Sequence, residues 1–259
     1  MERQASVVGA CTVVVVGIGP GDPGMVTVHA LEALASVDLV VVFDKGERAG
    51  ELLALRREVL DRASAGTPPR VVTLADPERD PEGTYAEAVR EWHRARAELL
   101  ERLLVEEVSP GTRVGLPVWG DPSLYDSTLR LLDELNARGR IRVDVEVVPG
   151  VSSLQLLAAR HRIVLHRVGG SLLVTTGRQL RAGVPAGIDD VAVFLDGSCS
   201  FTLLRDEGWH IFWGAYLGMP GEVLMSGPLD EVAEAIVRRR EALRRERGWI
   251  FDLYLLRKR

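Results

Sequence analysis

Apolar residues in this chain of 259 residues follow two patterns, short unbroken runs and stripes at helical spacing. The runs Val13–Val16 and Val37–Phe43 are rich in valine, and together with the apolar run Gly115–Trp119 they predict buried strands. The segment Tyr85–Val108 carries apolar residues on one stripe and predicts a long amphipathic helix. The chain therefore combines buried strands with helices that cover them.

Strands and helices alternate along the first 160 residues. The predicted strands are Val13–Val16, Val37–Phe43, Pro68–Leu74, Gly115–Trp119 and Val143–Val148. The predicted helices are Met25–Ser36, Glu51–Ala63, Tyr85–Val108, Leu124–Gly139 and Leu154–Arg160. This alternation is typical of an α/β layer with a mostly parallel sheet.

The pattern changes after residue 170, where strands outnumber helices. Predicted strands are Leu172–Thr176, Val191–Asp196, His210–Leu217, Glu222–Gly227 and Trp249–Leu256, with one helix at Asp230–Arg247. Short links between strands indicate a mixed or antiparallel sheet. We therefore expect a two-domain α/β fold, with domains 1–165 and 166–259 and a boundary near Arg162–Gly170.

The composition indicates a globular protein and argues against a nucleic-acid-binding, disulfide-rich or membrane-spanning one. With 46% apolar and 27% charged residues the chain can bury a sizeable core, and its net charge of −5 argues against general nucleic-acid binding. Cys11 and Cys199 lack the spacing of a metal site, so we expect no metal and a reducing, cytoplasmic environment. No apolar run reaches the roughly 18 residues that would span a membrane.

The arginine-rich segment Arg238–Arg247 is the densest run of positive charge and raises the question of nucleic-acid binding. Glu234, Glu241 and Glu246 are interleaved with these arginines on the predicted helix. We therefore favour a solvated, ion-paired helix face.

A glycine-rich turn follows the first strand directly. Gly17, Gly19 and Gly21 alternate and would let the backbone approach a ligand closely. The dinucleotide fingerprint needs a glycine at the sixth position, where Asp22 stands. Two alternatives remain. The turn could be purely structural and bind no ligand, or the protein could be a nucleotide-dependent dehydrogenase in which Asp44 is the acidic residue that binds the ribose.

Three loops share this design. Gly17–Pro23, Trp119–Tyr125 and Pro149–Ser153 each follow a buried strand, and each combines glycine, proline and a polar group. Such loops offer close approach, fixed turns and hydrogen-bonding groups for a small polar ligand. Three of them in one α/β domain predict a single binding cleft.

These loops, in this order and spacing, resemble those of the tetrapyrrole (corrin and precorrin) methylases, which use S-adenosylmethionine. The resemblance covers nearly the whole chain. Longer segments are similar to a deacetylating branch of that family: Phe43–Gly46, Val118–Pro122, Leu157–Ile163, Trp213–Gly218 and Gly248–Ile250. It implies a two-domain α/β enzyme, usually a homodimer, with the cofactor in a cleft between the domains and S-adenosylhomocysteine as product.

The resemblance also implies a set of cofactor-binding residues. In the first half these are Pro20 beside the cleft, then Trp119, Gly120, Asp121 and Leu124 at the methionine part, with Ser152 and Ser153 nearby. In the second half Leu195, Ala215, Tyr216 and Gly227 stand where family members contact the adenosine. Asp196 departs from the pattern, because many relatives have glycine there.

The implied reaction is C-methylation at position 1 of precorrin-5 with loss of acetate, giving precorrin-6A in cobalamin biosynthesis. Loss of acetate needs water, a base and an oxyanion donor. Asp44 is the first candidate base and His161 the second, with Lys45 and Tyr125 as candidate donors. Alternatively, Asp44 caps a turn and pairs with Lys45. For His161 the alternative is a residue that lies on the surface or contacts a substrate carboxylate.

The implied substrate carries many carboxylates, which arginines bind well. Candidate partners in the basic segment around the domain link are Arg160, Arg162, Arg167 and Arg178. Neither a nucleic-acid nor a membrane partner is expected. A sister methylase that acts at another carbon and a non-catalytic cofactor-binding module remain open.

Overall fold

The computed structural model describes residues 10–44, 50–63, 69–78 and 85–259. The chain divides after Val151 into two compact units, Met1–Val151 and Ser152–Arg259. This division lies earlier than the 162–170 segment that the sequence suggested. The reason is the helix Ser153–His161, which packs against strands of the second sheet.

The first unit contains a five-stranded parallel sheet in its described residues. The strands are β1 (Ala10–Gly17), β2 (Leu39–Asp44), β3 (Arg70–Ala75), β4 (Arg113–Val118) and β5 (Arg142–Val148). They lie in the order β3-β2-β4-β1-β5, and the pairs are parallel. The helices are α1 (Val28–Ala35), α2 (Gly50–Ala63), α3 (Tyr85–Glu107) and α4 (Thr128–Arg138).

Strand β1 lies inside this sheet and is covered on both faces. Val13 and Val15 pack in the core that α3 and α4 cover, whereas Val14 and Val16 pack in the core that α1 and α2 cover. All four side chains are fully buried. Side chains of a strand point alternately to opposite faces, so a run of four valines fits only a strand with helices on both sides.

Two helices of the first unit begin later than the sequence predicted. Helix α4 starts at Thr128 rather than at Leu124, because Tyr125 is left-handed at φ +52° and Asp126 accepts the Thr128 N–H at 2.6 Å. A 3₁₀ turn at Pro23–Met25 precedes α1, which Thr27 caps. Polar caps and a left-handed residue thus lengthen both loops.

The second unit contains a five-stranded mixed sheet in the order β6-β7-β10-β8-β9. Its elements are α5 (Ser153–His161), β6 (Leu172–Thr176), α6 (Gly177–Leu180), β7 (Asp190–Phe194), β8 (Trp209–Ala215), β9 (Val223–Pro228), α7 (Leu229–Arg247) and β10 (Asp252–Lys258). Strand β6 is parallel to β7, and the other pairs are antiparallel. The α/β class, the parallel first sheet and the mixed second sheet are confirmed.

Three details of the second unit differ from the sequence prediction. The short helix α6 and a 3₁₀ turn at Ser200–Leu204 had not been predicted. Strand β10 begins at Asp252, since Trp249 and Phe251 precede the ladder that pairs β10 with β8. The Trp249 ring instead packs edge-on against Tyr216, with ring centres 5.1 Å apart.

Candidate functional site

The three glycine loops of the first unit meet at the carboxyl ends of three adjacent strands, β4, β1 and β5. A Cβ on Gly17 would lie 2.6 Å from the Gly150 nitrogen, and one on Gly150 would lie 2.2 Å from the Gly120 oxygen. Gly19 and Gly120 exchange backbone hydrogen bonds of 3.2 and 2.8 Å. Only glycine fits where these backbones touch, so the three loops meet at one point, and a single binding cleft there stays a prediction.

The Asp121 carboxylate ties two of these loops together. Its Oδ2 accepts the Gly150 N–H at 2.9 Å, and its Oδ1 accepts the backbone N–H of Ser123 at 2.9 Å and also the Ser123 hydroxyl. Burial alone would raise the pKa of this carboxyl, but the hydrogen bonds from Ser123 and Gly150 bring the pKa below its usual value. Both oxygens of Asp121 therefore serve the loop architecture.

The other first-unit residues implied by the resemblance surround this junction. Pro20 and Gly120 are buried, whereas Trp119 and Leu124 are half-buried. Trp119 packs beside the core under α1 and α2. Because Pro20 is buried, it shapes the loop more than it offers surface to a ligand.

Several residues that the sequence singled out have left-handed backbone conformations. Such a conformation costs a side-chain-bearing residue roughly 1–2 kcal/mol and is concentrated at functional sites. In the described part of the chain the non-glycine residues with positive φ are Tyr125, Arg162, Leu195, Cys199, Asp206 and Tyr216. Four of these six had been selected as candidate site residues from the sequence alone.

Tyr125 combines this conformation with an exposed ring. Its side chain is 42% exposed, and it follows the Asp121 loop directly. Burial of part of the group raises the pKa of the Tyr125 hydroxyl above its usual value. The hydroxyl keeps its proton at neutral pH and can donate a hydrogen bond.

Asp44 is the last residue of β2, at the same edge of the sheet. Its carbonyl accepts the N–H of Asp76 at 2.8 Å, and Asp76 forms an ion pair of 3.1 Å with Arg96. The Arg96 guanidinium also lies 4.0 Å from the centre of the Phe43 ring. Lys45 lies outside the described residues.

Arg56 on α2 adds a second cation to this group of charges. Burial lowers its pKa, as does the charge of Arg96, while the carboxylates of Asp126, Asp44 and Asp76 oppose that change. Sequence reasoning missed Arg56, Asp76 and Arg96. Asp76 could have been found from its place directly after a strand, because Asp44 was found in the same way.

The second unit brings Leu195, Ala215 and Tyr216 to one edge of its sheet. Strands β7 and β8 are both antiparallel to β10, so their carboxyl ends lie on the same side, at the start of β10. Leu195 is 69% exposed, whereas Ala215 and Tyr216 are fully buried. The Tyr216 hydroxyl donates to the Trp249 carbonyl at 2.6 Å, and the Tyr216 backbone N–H donates to the Phe251 carbonyl at 2.8 Å.

Gly227 does not join these three residues. It pairs with Ile211, four residues before Ala215 on β8, which is about 14 Å along the strand. A Cβ on Gly227 would lie 2.6 Å from the Val232 side chain. Close packing of α7 on the sheet explains a glycine at this position.

Ser152 and Ser153 begin helix α5. The Ser152 hydroxyl accepts the Gln155 N–H at 3.3 Å, and the Gln155 side chain accepts the Ser152 N–H at 2.7 Å, which is a complete capping box. Ser152 is buried and Ser153 is half-buried. The Ser152 side chain therefore has a structural partner within its own helix.

His161 ends the same helix and contacts the second sheet. Its Nε2 lies 3.0 Å from the Trp213 carbonyl oxygen, which only accepts, so Nε2 carries the proton. Burial lowers the pKa of His161, while this carbonyl and the charge of Glu222 oppose the change. Only Nδ1 of the neutral ring is left to act as a base.

The candidate arginines differ in how they are engaged. Arg160 pairs with Glu222 at 2.7 Å and Arg167 with Asp189 at 3.2 Å. Arg162 caps α5 in a left-handed conformation with an exposed side chain, and Arg178 is exposed on α6. The first two would have to exchange a protein carboxylate for one of a ligand.

No helix among the described residues is long and apolar enough to cross a membrane. No group of three or more His, Cys, Asp or Glu side chains among them could hold a metal ion.

Comparison with known proteins decides which family has this arrangement of loops and sheets. The family model described as Tetrapyrrole (Corrin/Porphyrin) Methylases matches residues 12–233, which include all three glycine loops and most of the second unit. The chain belongs to this family.

The similarity to individual members of this family extends over nearly the whole chain. Precorrin-6A synthase (deacetylating) of Sinorhizobium sp is 40% identical over 251 residues, 96% of each chain. A solved structure from Corynebacterium diphtheriae, described as cobalamin synthesis related (CobF), has a TM-score of 0.83 at 36% identity and covers 96% of this chain and 99% of its own. Uroporphyrin-III C-methyltransferase of Thermus thermophilus, solved with S-adenosylhomocysteine, shares the fold at a TM-score of 0.58 and 22% identity, covering 95% of this chain and 91% of its own.

The strand order also separates this tetrapyrrole methylase from dinucleotide-binding dehydrogenases. In the dinucleotide fold β1 lies between β2 and β4, in the order 3-2-1-4-5-6. Here β4 lies between β2 and β1. The glycine turn therefore has a different neighbour, Gly120, and the dehydrogenase alternative loses its structural basis.

Proposed function

We propose that this chain is a precorrin-6A synthase, an S-adenosylmethionine-dependent methyltransferase that methylates position 1 of precorrin-5 and releases acetate. The observation that carries this proposal is the 40% identity, over 96% of both chains, to the Sinorhizobium protein of that name. The CobF structure, with a TM-score of 0.83, supports the same assignment.

The cofactor of this reaction is S-adenosylmethionine, which supplies an activated methyl group and leaves as S-adenosylhomocysteine. The glycine junction fits such a group, because it fixes the half-buried Trp119 and Leu124 and the exposed Tyr125 on one rigid loop. In our proposal this loop holds the methionine part. Alignment of a carbon nucleophile with a bound methyl group can lower the barrier by roughly 7–11 kcal/mol, so positioning is the main task of these residues.

In the second unit we assign the adenosine contact to Leu195 and to the backbone of Ala215 and Tyr216. An exposed apolar side chain in a fixed left-handed conformation suits contact with a flat base. Gly227 is left out of this assignment, since it lies about 14 Å away along the sheet.

The substrate carboxylates would be bound by exposed arginines. The four candidates are all exposed: Arg160, Arg162, Arg167 and Arg178. Arg160 pairs with Glu222 and Arg167 with Asp189, so each of these two would exchange a protein carboxylate for one of the substrate. Arginine suits this role because its planar fork binds a carboxylate through two hydrogen bonds.

Deacetylation needs a water molecule that attacks the carbonyl of the acetyl group. The bond between the acetyl carbon and the macrocycle breaks, the water oxygen enters acetate, and the electron pair left on the macrocycle becomes available to form the new bond to the methyl group. We assign the base to Asp44 and a hydrogen bond to the developing oxyanion to Tyr125, whose raised pKa keeps its proton in place. His161 is less suited, because its Nε2 proton is engaged by the Trp213 carbonyl.

The remaining expectations belong to the same proposal. We infer a homodimer in the cytoplasm, with the polycarboxylate precorrin as the only class of ligand besides the cofactor. Two widely separated cysteines and the absence of a membrane-spanning helix in the described residues are compatible with that location.

Product analysis tests the proposed function. The protein is incubated anaerobically with precorrin-5 and methyl-labelled S-adenosylmethionine, and the macrocycle and acetate are measured by mass spectrometry. One labelled methyl gained together with released acetate supports the proposal. Methyl gain without acetate would indicate a sister methylase, and cofactor binding without turnover on any precorrin would indicate a binding module.

A further inference from the structure

The chain directly after β7 is held by a buried network that the reaction does not use. The Asp196 side chain is buried. A buried carboxylate needs hydrogen-bond or ion-pair partners, and Asp196 has several. Its Oδ2 accepts the Tyr254 hydroxyl and the Ser200 N–H, both at 2.6 Å. Its Oδ1 accepts the Ser200 hydroxyl at 2.9 Å and the Ser198 N–H at 3.1 Å.

The backbone of Asp196 is fixed as firmly as its side chain. The Arg240 guanidinium donates to the Asp196 carbonyl at 3.0 Å and forms a buried ion pair with Asp252 at 2.8 Å. Trp213 Nε1 also donates to Asp252 at 3.0 Å. The residue after Leu195 is thus bound to helix α7 and, through Tyr254, to strand β10.

The Tyr254 hydroxyl is a permanent donor in this network. Burial and the charge of Asp196 raise its pKa well above the usual value. The Tyr254 ring packs edge-on against Phe201, with ring centres 5.2 Å apart. Gly177 makes room on the other side, since a Cβ there would lie 2.3 Å from the Asp196 carboxylate.

Leu195 stands between strand β7 and this network. It is left-handed at φ +52° and its side chain is 69% exposed, so neither its own backbone preference nor burial explains its conformation. We propose that Asp196, held by Tyr254 and Ser200, is a positioning residue that fixes Leu195 for contact with the adenosine of S-adenosylmethionine. This inference rests on the proposed function.

The test compares binding of S-adenosylhomocysteine by calorimetry in the full-length protein. Tyr254→Phe removes the hydroxyl and keeps the ring, and Asp196→Asn removes the charge. Asp190→Asn is the matched control, because Asp190 is an equally buried aspartate at the other end of β7, ion-paired with Arg257. All measurements are made well below the melting temperature of each variant.

We expect Tyr254→Phe and Asp196→Asn to weaken binding about tenfold each, and Asp190→Asn to leave it unchanged. The double variant should lose little more than the weaker-binding single variant, since both substitutions act through the same network around Asp196. In turnover assays the KM for the cofactor should rise, with the KM for precorrin-5 unchanged.

Three results would overturn the inference. Wild-type affinity in Tyr254→Phe, with a lowered melting temperature, would make the network merely structural. Equal weakening in Asp190→Asn would show a general loss of stability. If the wild-type protein binds no S-adenosylhomocysteine, the proposed function fails and this inference with it, whereas binding by wild type and variants alike removes only the inference.

Discussion

The Oδ2 atom of Asp121 accepts the backbone N–H of Gly150 at 2.9 Å and so joins the loop after β4 to the loop after β5. The same carboxylate closes its own loop through Ser123. The loop after β1 is joined to this pair by the backbone bonds between Gly19 and Gly120. One side chain and one backbone bridge therefore make three loops a single rigid element.

Replacing Asp121 with Asn should destabilise the protein by about 1–2 kcal/mol at neutral pH, because a charge-assisted acceptor for two backbone N–H groups is lost. The native pKa of Asp121 is lowered, so its contribution is present above about pH 4 and is lost as the pH falls through that lowered value. Urea unfolding at pH 7 and at about pH 3 measures both effects. If the difference in the free energy of unfolding between wild type and variant is the same at both pH values, this role of Asp121 is contradicted.

Gly150→Ala should cost about 3 kcal/mol or more and abolish cofactor binding, since its Cβ would lie 2.2 Å from the Gly120 oxygen. Gly111→Ala is the control, because that glycine has positive φ but open space around it. The control should lose only about 1 kcal/mol and bind the cofactor normally. Thermal unfolding and calorimetry compare the two, and equal losses would mean that the loop contact is unimportant.

Asp44→Asn should lower turnover by about 100-fold or more, with the KM for the cofactor unchanged, because it removes the assigned base. His161→Gln, which can still donate to the Trp213 carbonyl, should keep turnover within about tenfold. Steady-state kinetics of acetate release measure both variants. The reverse ranking would move the base to His161.

His161 should also make the stability of the native protein depend on pH. Its native pKa is lowered by burial, so its contribution is fully present above about pH 6.5 and is lost as the pH falls through the native value. His161→Gln should remove this component. Urea unfolding between pH 7.5 and 5.5 measures how the free energy of unfolding changes with pH. If this change is identical for wild type and variant, the contribution of His161 is excluded.

Much of the first unit was predictable from sequence because its signals are local. Four valines in β1 imply two covered faces, and glycines at the ends of β1, β4 and β5 predicted loops that converge. The contacts of Gly17 with Gly150 and of Gly19 with Gly120 depend on the strand order, in which β1 lies between β4 and β5. No local pattern encodes that order.

The second unit was predicted less completely for a similar reason. Gly227 was assigned to the site by position, and its register opposite Ile211 could not be predicted from any local pattern. Asp196 departed from the expected pattern, and its partner Tyr254 lies 58 residues away in the chain. Buried polar networks join distant residues, so they become visible only when the strands are paired.

The most direct test of the account is the stoichiometry of acetate in water enriched in oxygen-18. Precorrin-5, S-adenosylmethionine and the protein are incubated anaerobically, and acetate and S-adenosylhomocysteine are quantified together by mass spectrometry. The account predicts one acetate for each S-adenosylhomocysteine, with one solvent oxygen in that acetate. Methyl transfer without acetate, or acetate that contains no solvent oxygen, would contradict it.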